Sequence, residues 1–284
     1  MSGALEEREF EFGDAAFGKV RTLLKQRSGI DVGEGKRMMV YGRLVRRLRA
    51  LRLRGFQDYL PLLEDPQSEE SKQFLNALTT NVTELFREAH HFEFLTKRVI
   101  PETRRERGKQ LRIWSAGCST GEEPYSIAIT LKEAAGNDSS WAPRVLATDI
   151  DSEVLSKAER GVYAVDKVSQ LEGKSRRWFQ RGQGRNAGLA RVRAELRDWI
   201  SFRQLNLLGP WPMRGPFDAI FCRNVVIYFD TPTREALVNR FAELLRDGGY
   251  LFMGHSESLT GASSDLLEPC GKTTYRKRES GRKP

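Results

Sequence analysis

The residues best suited to chemistry lie in a loop between a predicted strand and a helix. This loop, Ser115–Pro124, has the sequence Ser-Ala-Gly-Cys-Ser-Thr-Gly-Glu-Glu-Pro. In a doubly wound sheet, the loop after the first strand is where a nucleotide-like ligand binds. The segment has neither the G-x-G-x-x-G spacing of dinucleotide-binding loops nor the G-K-[ST] of a P-loop. The sequence therefore predicts a ligand loop of another kind.

The charge of this loop narrows the ligand class. Glu122 and Glu123 lie where the following helix begins. A phosphate-binding loop leaves bare backbone N–H groups there for an anion, and two carboxylates oppose such binding. Thr120 and Glu123 also have the T-x-x-E spacing of a capping box. We expect a capped helix and a nucleoside-like ligand that has no phosphate and carries positive charge.

A further carboxylate follows the second predicted strand. The predicted strand Arg144–Thr148 is followed by Asp149. This residue lies about 30 residues after the Ser115–Pro124 loop, which we call the glycine loop. At the carboxyl edge of the neighbouring strand, an acid can accept hydrogen bonds from both ribose hydroxyls. Asp151 is better placed to cap the helix that begins near Ser152. Asp149 is thus predicted to bind the ribose.

Histidine and cysteine usage argues against several chemistries. The sequence contains three histidines, His90, His91 and His255, and three widely spaced cysteines. The adjacent histidines are expected to point to different faces of a helix. We therefore predict no metal site, no disulfide framework and no histidine-based catalytic triad.

The order of the elements predicts two domains. Residues 1–92 show helical patterns in five segments: Ala15–Arg27, Gly35–Leu53, Phe56–Leu63, Glu69–Asn81 and Glu84–Phe92. Residues 93–284 alternate short apolar runs with helices, which is typical of βαβ units in a mostly parallel sheet. The predicted strands are Leu111–Ser115, Arg144–Thr148, Ile200–Gln204, Ala219–Cys222 and Tyr250–Gly254.

An insertion at about residues 165–199 interrupts this alternation. Two apolar segments, Trp178–Gly182 and Leu189–Leu196, flank a turn that is rich in glycine. This pattern predicts a β-hairpin.

The second helix of the N-terminal domain is strongly basic. Val40, Leu44, Leu48 and Leu51 form one apolar stripe at helical spacing. Eight cations surround the stripe, and no acidic residue occurs between Glu34 and Asp58. The cations are Lys36, Arg37, Arg43, Arg46, Arg47, Arg49, Arg52 and Arg54. The helix is either a solvated face or a docking face for an acidic surface.

The composition agrees with a folded, basic protein. The 284 residues are 39% hydrophobic, which is enough for two packed cores. The 47 Lys and Arg residues exceed the 38 Asp and Glu residues by nine, so an acidic partner is favoured, either nucleic acid or protein. No apolar run is long enough to span a membrane, and the acidic N-terminus does not match a signal peptide. We expect a cytoplasmic protein.

Three further stretches carry a resemblance to a known family. They are Thr79–Glu88, which reads TTNVTELFRE, Ser119–Ser126, which reads STGEEPYS, and Phe221–Asp230, which reads FCRNVVIYFD. Their order and spacing resemble the bacterial chemotaxis receptor glutamate methyltransferases, the CheR family. The resemblance covers nearly the whole chain, including the hairpin insertion and Gly254–Ser258.

This resemblance implies an α/β fold and a reaction. The fold would be the doubly wound, Rossmann-like fold of S-adenosylmethionine-dependent methyltransferases, with a β-hairpin insertion and a small all-helical N-terminal domain. S-adenosylmethionine, which carries an ammonium and a sulfonium, would give its methyl group to receptor glutamates and leave S-adenosylhomocysteine, with no metal. By family position, the residues expected to line the cofactor site are Asn81, Thr83, Arg87, Glu123, Asp149, Asn206, Leu207, Arg223 and Asn224.

Roles for substrate and partners also follow from the resemblance. Arg87 and Tyr228 would hold the acceptor carboxylate as catalytic residues. Receptor docking would use Arg43, Arg46, Arg47 and Arg54. The hairpin would add the C-terminal peptide of certain receptors as an extra strand, unless it is a plain stabilising hairpin. The residues expected to hold this peptide are Arg181, Gly182, Gly184, Gly188, Arg191 and Arg193.

Two alternatives stay open at this stage. A nucleic-acid methyltransferase would suit the positive charge, although the [DNS]-P-P-[YFW] signature of adenine or cytosine methylation does not occur at the Cys222–Val225 strand end. A non-catalytic adaptor would use the same fold to bind without turnover. We expect a monomeric chemoreceptor methyltransferase that is recruited to membrane receptor arrays, without membrane insertion and without a nucleic-acid partner.

Overall fold

The chain divides into two compact units. A computed structural model describes residues 9–107, 110–136, 138, 140–141, 143–171, 173–259 and 263–279. One unit ends at Thr80 and the other begins at Asn81. This division differs from the predicted boundary at residue 92. Residues 81–92 belong to the second unit because the Phe86 amide donates to Ser126 Oγ at 2.8 Å and Phe92 stacks on Phe221.

The first unit is helical over the residues that the structure describes. Its helices are α1 (Asp14–Ser28), α2 (Arg37–Leu51), α3 (Phe56–Tyr59) and α4 (Glu69–Leu78). Val40, Leu44 and Leu48 are fully buried, as the stripe on α2 predicts. Leu51 is 38% exposed, because the helix ends there and Arg52 turns into a left-handed conformation with φ 55°.

The predicted helix at Glu84–Phe92 is wrong. Residues 85–89 form turns, and helix α5 (His90–Phe94) begins only after them. Phe86 and Glu88 have φ of 57° and 56°, a left-handed conformation that interrupts a helix. A π-helical turn at Leu95–Val99 then leads into α6 (Ile100–Arg107).

The second unit is built on a seven-stranded sheet with the order β6-β2-β1-β7-β8-β10-β9. The strands of this unit are β1 (Arg112–Ala116), β2 (Arg144–Asp149), β3 (Val162–Ala164), β4 (Phe179–Arg181), β5 (Leu189–Val192), β6 (Ile200–Gln204), β7 (Phe217–Cys222), β8 (Leu245–Met253), β9 (Leu267–Gly271) and β10 (Thr274–Lys277). The helices that follow in this unit are α7 (Glu122–Ala135), α8 (Ser152–Arg160), α9 (Val165–Ser169), α10 (Ala194–Arg197), α11 (Thr231–Leu244) and α12 (Ser263–Leu266).

All five predicted strands are present in this sheet, and their neighbours pair in parallel. Strand β10 runs antiparallel to both β8 and β9, and neither β9 nor β10 was predicted. Every residue of β7 is buried, as expected for a central strand that has both faces covered. Strand order reverses at β1, so the ligand crevice lies at the carboxyl end of β1, between β2 and β7. The doubly wound α/β fold is confirmed.

The insertion forms a second, three-stranded antiparallel sheet with the order β3-β5-β4. The predicted hairpin is present as β4 and β5. Strand β5 ends at Val192, four residues before the predicted end, because residues 194–197 form α10. Strand β3 precedes residue 165, so this sheet begins earlier in the chain than predicted.

Among the described residues, no helix has the length and apolar character needed to cross a bilayer.

Candidate active site

The loop after β1 is held in a tight turn. Both Gly117 N and Cys118 N donate to the Thr148 carbonyl, at 2.8 and 2.9 Å. Gly117 has φ 89°, and a Cβ there would collide with the side chain of Val225. Cys118 is buried, and burial raises the pKa of its thiol, which agrees with a packing role.

Asp149 closes the other side of this turn. Its Oδ2 accepts from Ser119 N at 2.8 Å, and its Oδ1 accepts from Asp151 N at 3.0 Å. The side chain is 8% exposed, and burial raises the Asp149 pKa to about 6. A carboxylate fixed by two backbone amides at the end of β2 has lone pairs left for ligand hydroxyl groups. This position suits the ribose role that the sequence predicts.

Asp151 caps α8, as predicted. Its Oδ1 accepts from the amides of Glu153 and Val154 at 2.9 and 3.2 Å. Its other oxygen accepts from Asn81 Nδ2 at 2.9 Å. The Asn81 carbonyl accepts in turn from Ser119 Oγ at 3.1 Å. The Asn81 segment is therefore fastened to the glycine loop.

The predicted capping box at Thr120 and Glu123 is wrong. Gly121, with φ 96°, occupies the N-cap of α7, and no described side chain caps it. The Thr120 hydroxyl donates to Glu122 Oε2 at 2.6 Å. Lys167 also pairs with Glu122, across 2.9 Å. This leaves Glu123 to turn toward the sheet.

Glu123 and Arg223 form a buried pair beneath the loop. Glu123 accepts from Ser115 Oγ at 2.7 Å and from Arg223 Nη1 at 3.1 Å. Burial raises the Glu123 pKa, and Arg223 opposes that shift. Arg223 also donates to the Arg87 carbonyl and lies 3.4 Å from Glu88 Oε2. Arg223 thereby ties the turn at residues 87–88 to the end of β7.

The other predicted residues of the segment 81–87 are partly exposed. Arg87 Nη1 donates to the Val82 carbonyl at 3.1 Å, which folds its guanidinium back over the turn. Thr83 lies between these two residues and is also partly exposed. Of these predicted residues, Asn81 is hydrogen-bonded to the glycine loop, through Ser119 Oγ. The roles of Thr83 and Arg87 toward the amino-acid end of the cofactor stay predictions.

Asn206 and Leu207 follow β6, next to Asp149. The Leu205 amide donates to the Asp149 carbonyl at 2.9 Å, which places this turn beside β2. Asn206 Oδ1 accepts from the Leu208 amide at 3.0 Å. The Leu207 carbonyl accepts from both Trp211 Nε1 and Arg240 Nη1, at 3.1 and 2.7 Å. Because this carbonyl already accepts two hydrogen bonds, a backbone contact from Leu207 to adenine would use the Leu207 amide N–H.

Glu257 is a site residue that sequence reasoning missed. It is 1% exposed, and its Oε2 accepts from the amides of Gly254 and Asn224, at 2.7 and 2.8 Å. Its Oε1 accepts from Ile227 N at 3.1 Å. Asn224 has φ 60°, and Tyr228 ends the 3₁₀ turn that follows. Glu257 thus holds the segment that carries two predicted site residues. The available signal was its place in Gly254–Ser258, a stretch that belongs to the family resemblance.

Some cations of α2 are paired with groups outside the segment between Glu34 and Asp58, where the sequence has no acidic residue. Arg47 pairs with Glu70 through Nε and Nη2, at 3.0 and 2.5 Å. Arg43 Nη1 donates to the carbonyls of residues 78 and 79, at the end of α4. Arg46 and Arg54 are exposed. Of the four predicted docking residues, two are therefore committed to contacts within the helical unit.

The six predicted peptide-binding residues lie on or beside β4 and β5. Arg181 and Arg191 are exposed residues of these strands, and Arg193 Nε donates to the residue 177 carbonyl at 2.7 Å. Gly184 and Gly188 have φ of 56° and 87° and serve the turn. A Cβ on Gly182 would collide with the Asn186 carbonyl, so its lack of a side chain is also a requirement of the turn.

Family models match both units. Residues 81–276 match the CheR methyltransferase SAM binding domain, and residues 15–79 match the CheR methyltransferase all-alpha domain. The chain belongs to the CheR methyltransferase family. As a CheR methyltransferase it is an S-adenosylmethionine-dependent enzyme.

Curated CheR relatives are similar over nearly the whole chain. A chemotaxis protein methyltransferase of Klebsiella aerogenes is 51% identical over 265 residues, covering 92% of this chain and 89% of the relative. A chemotaxis protein methyltransferase 2 of Pseudomonas aeruginosa is 48% identical, with 94% and 95% covered. One from Escherichia coli is 49% identical, with 87% and 85% covered.

Proposed function

We propose that this enzyme methylates the side-chain carboxylates of specific glutamates in chemoreceptors and thereby supports sensory adaptation. The observation that carries the proposal is the Arg223 contact between two segments. Arg223 holds the Arg87 carbonyl, and Tyr228 follows Arg223 by five residues on the turn that Glu257 organises. Arg223 thus connects the segment that carries Arg87 to the segment that carries Tyr228, which supports a joint role for this cation and this phenol.

The reaction requires little proton chemistry from the protein. S-adenosylmethionine supplies an electrophilic methyl group; a carboxylate oxygen bonds to its carbon while the carbon–sulfur bond breaks and its electron pair goes to sulfur. A glutamate is already ionised at neutral pH, so no general base is required. The enzyme's contribution is alignment of the acceptor and removal of water from a weak nucleophile.

Arg87 and Tyr228 suit the alignment step. The Arg87 guanidinium offers charge-assisted hydrogen bonds to the acceptor carboxylate, and the Tyr228 hydroxyl offers a neutral one. Both side chains are partly exposed, as groups that meet a macromolecular substrate must be. Arg87 Nη1 donates to the Val82 carbonyl, and we propose that other N–H groups of its guanidinium donate to the acceptor carboxylate.

The test separates cofactor binding from turnover. Arg87→Ala and Tyr228→Phe should lower the methylation rate by more than they weaken S-adenosylmethionine binding, since their partner is the acceptor carboxylate. Rates of methyl transfer to purified receptor and cofactor affinities by calorimetry give the two quantities. Tyr275→Phe is a matched control, because the Tyr275 hydroxyl accepts from the Leu259 amide outside this crevice. A normal rate in either site variant would remove that residue from the acceptor site.

Two surfaces are proposed to recognise the receptor. Two exposed cations, Arg46 of α2 and Arg54 just after it, would meet an acidic, glutamate-bearing helix. In the small sheet, β4 is an edge strand, and an added peptide strand could pair with it. Arg181 and Arg191 would then pair with the peptide's acidic groups. The protein is proposed to act as a cytoplasmic monomer at membrane receptor arrays.

A further inference from the structure

All three histidines of the chain lie near one carboxylate, Glu88. Glu88 Oε1 lies 3.3 Å from His255 Nδ1, and Glu88 Oε2 lies 3.6 Å from His91 Nδ1. The rings of His90 and His91 are 4.1 Å apart between centroids. The sequence expectation that the adjacent pair would diverge is therefore wrong: the helix begins only at His90, and the left-handed Glu88 folds back toward both rings.

Three atoms of this cluster are buried without a hydrogen-bond partner among the described residues. They are Glu88 Oε2, His90 Nε2 and His91 Nδ1. Glu88, His90 and His91 each offer one ligand atom, and these three ligand atoms lie within 4.8 Å of one another. The His91 side chain is fully buried. Unsatisfied buried polar atoms cost free energy, so one partner shared by all three atoms would be favourable.

The chemical nature of these three atoms indicates which class of partner they would bind. His91 Nε2 lies 3.2 Å from the Lys272 carbonyl, to which it can donate, and in that tautomer Nδ1 presents a lone pair to the cluster. Two imidazole nitrogens and one carboxylate oxygen are ligands for a borderline metal ion such as Zn²⁺. Ligand atoms of a tetrahedral zinc ion lie about 3.4 Å apart. The separation of 3.6 Å between Glu88 and His91 is close to that value.

We propose that Glu88, His90 and His91 form a binding site for Zn²⁺ or a similar transition-metal ion. The proposal goes beyond the methyl transfer reaction and does not depend on it. Arg223 Nη2 lies 3.4 Å from the same Glu88 oxygen, so ion and guanidinium compete for it. Because Arg223 also holds Glu123, an ion at this site would weaken cofactor binding. The site would make the enzyme sensitive to inhibition by zinc.

The test titrates Zn²⁺ into the full, untagged chain in the absence of cofactor, with calorimetric detection. We expect one ion per chain, and His90→Ala should weaken binding by at least about tenfold. Glu93→Gln is the matched control, because Glu93 is an exposed carboxylate on the same helix, paired with Lys97. Zinc should lower S-adenosylmethionine affinity in the native chain and have a much smaller effect in His90→Ala.

A second measurement needs no variant. Co²⁺ added to the native chain should give the ligand-field absorption of a nitrogen-coordinated ion. Failure to bind one ion, equal binding by His90→Ala, or a loss of binding in Glu93→Gln would each overturn the site. Because the titration contains neither cofactor nor receptor, such a failure would leave the proposed methyl transfer untouched.

Discussion

At the scale of single residues, the site depends on carboxylates held in low-dielectric surroundings. Asp149 accepts from two backbone amides, yet burial outweighs these bonds and raises its pKa to about 6. Glu88 is the opposite case. Burial acts to raise its pKa, but the Arg223 guanidinium and its other partners together leave the pKa lowered. The pKa values of two carboxyl groups in the same compact unit are therefore shifted in opposite directions.

The first prediction concerns cofactor affinity and pH. The ribose hydroxyls would donate to ionised Asp149, so S-adenosylmethionine affinity should fall as the pH decreases below about 6. The fall should approach about tenfold per pH unit. Asp149→Ala should cost about 1.5–3 kcal/mol of binding free energy at neutral pH. Calorimetric titrations at several pH values measure both effects, and unchanged affinity in Asp149→Ala would exclude this residue from the site.

The raised pKa of Asp149 also makes the free energy of unfolding depend on pH. The folded state binds the Asp149 proton more tightly than the unfolded chain, whose carboxyl has an ordinary pKa near 4. The contribution to stability is thus full below pH about 4 and is lost as the pH rises through about 6. Asp149→Asn is an uncharged control that should remove this part of the pH dependence of the free energy of unfolding.

At the scale of elements, the turn after β7 depends on one carboxylate. Both Glu257 oxygens accept from backbone amides. In Glu257→Gln, either orientation of the amide would aim its NH₂ group at one or two of these N–H groups. We expect a loss of about 1–3 kcal/mol in the free energy of unfolding, together with slower methyl transfer.

Glu268→Gln provides the comparison for that variant, because Glu268 is partly exposed and lies 3.6 Å from its partner, Arg278. In this control, the free energy of unfolding from chemical denaturation and the rate of receptor methylation should both remain near their native values. Should Glu257→Gln match the control in both measurements, the carboxylate does not organise the turn.

Helix α2 and the segment directly after it carry half-buried and exposed cations, and the two kinds should respond differently to substitution. Arg47 is half-buried against Glu70, which also accepts from Tyr59, so Arg47→Ala should lower the stability of the fold. Arg46 and Arg54 are exposed, and replacing both with alanine should raise the KM for receptor without destabilising the protein. The rise should shrink at high salt, where a Debye length of about 3 Å at 1 M screens these charges. An unaltered KM at low salt would show that this helix is only a solvated face.

Local patterns predicted the elements that depend on local chemistry. The alternation of apolar runs located the five parallel strands, and Asp151 was recognised as the cap of α8. Strand β10 was missed because its place between β8 and β9 depends on long-range pairing, with Tyr275 opposite Leu251 and Pro269. The residue 84–92 segment looked helical because its composition permits a helix, whereas tertiary contacts such as that of the Phe86 amide with Ser126 impose turns.

For the site residues too, local patterns were informative and long-range contacts were not visible in the sequence. Asp149 was predictable because the end of a parallel strand fixes where its side chain lies. Glu257 and Glu88 were not, because each acts on groups that are distant in sequence: Glu257 on Asn224, and Glu88 on Arg223 and His255. The pairing of Arg47 was also hidden from local patterns, because its partner Glu70 lies 23 residues later in the chain.

At the scale of the whole molecule, the two proposed receptor contacts would let the chain bind one acidic receptor at two places. The net charge of +9 favours such a partner, and the two proposed contacts lie in different compact units. When one contact is made, the second becomes an intramolecular event with a raised effective concentration. Receptor with its C-terminal peptide should therefore be methylated at a lower KM than the same receptor without it.

The test of this arrangement uses the edge of the small sheet. Replacing Arg181 and Arg191 with glutamate should abolish the micromolar binding that we expect for at least one receptor C-terminal peptide, and should remove the KM advantage of the intact receptor. Arg185→Glu is the matched control, because Arg185 is an exposed cation in the turn between β4 and β5. Methylation of receptor that lacks the peptide should stay unchanged in all these variants, since its remaining contacts lie elsewhere. If no receptor peptide of the host binds, or if Arg185→Glu abolishes binding equally, the small sheet acts only as a stabilising element.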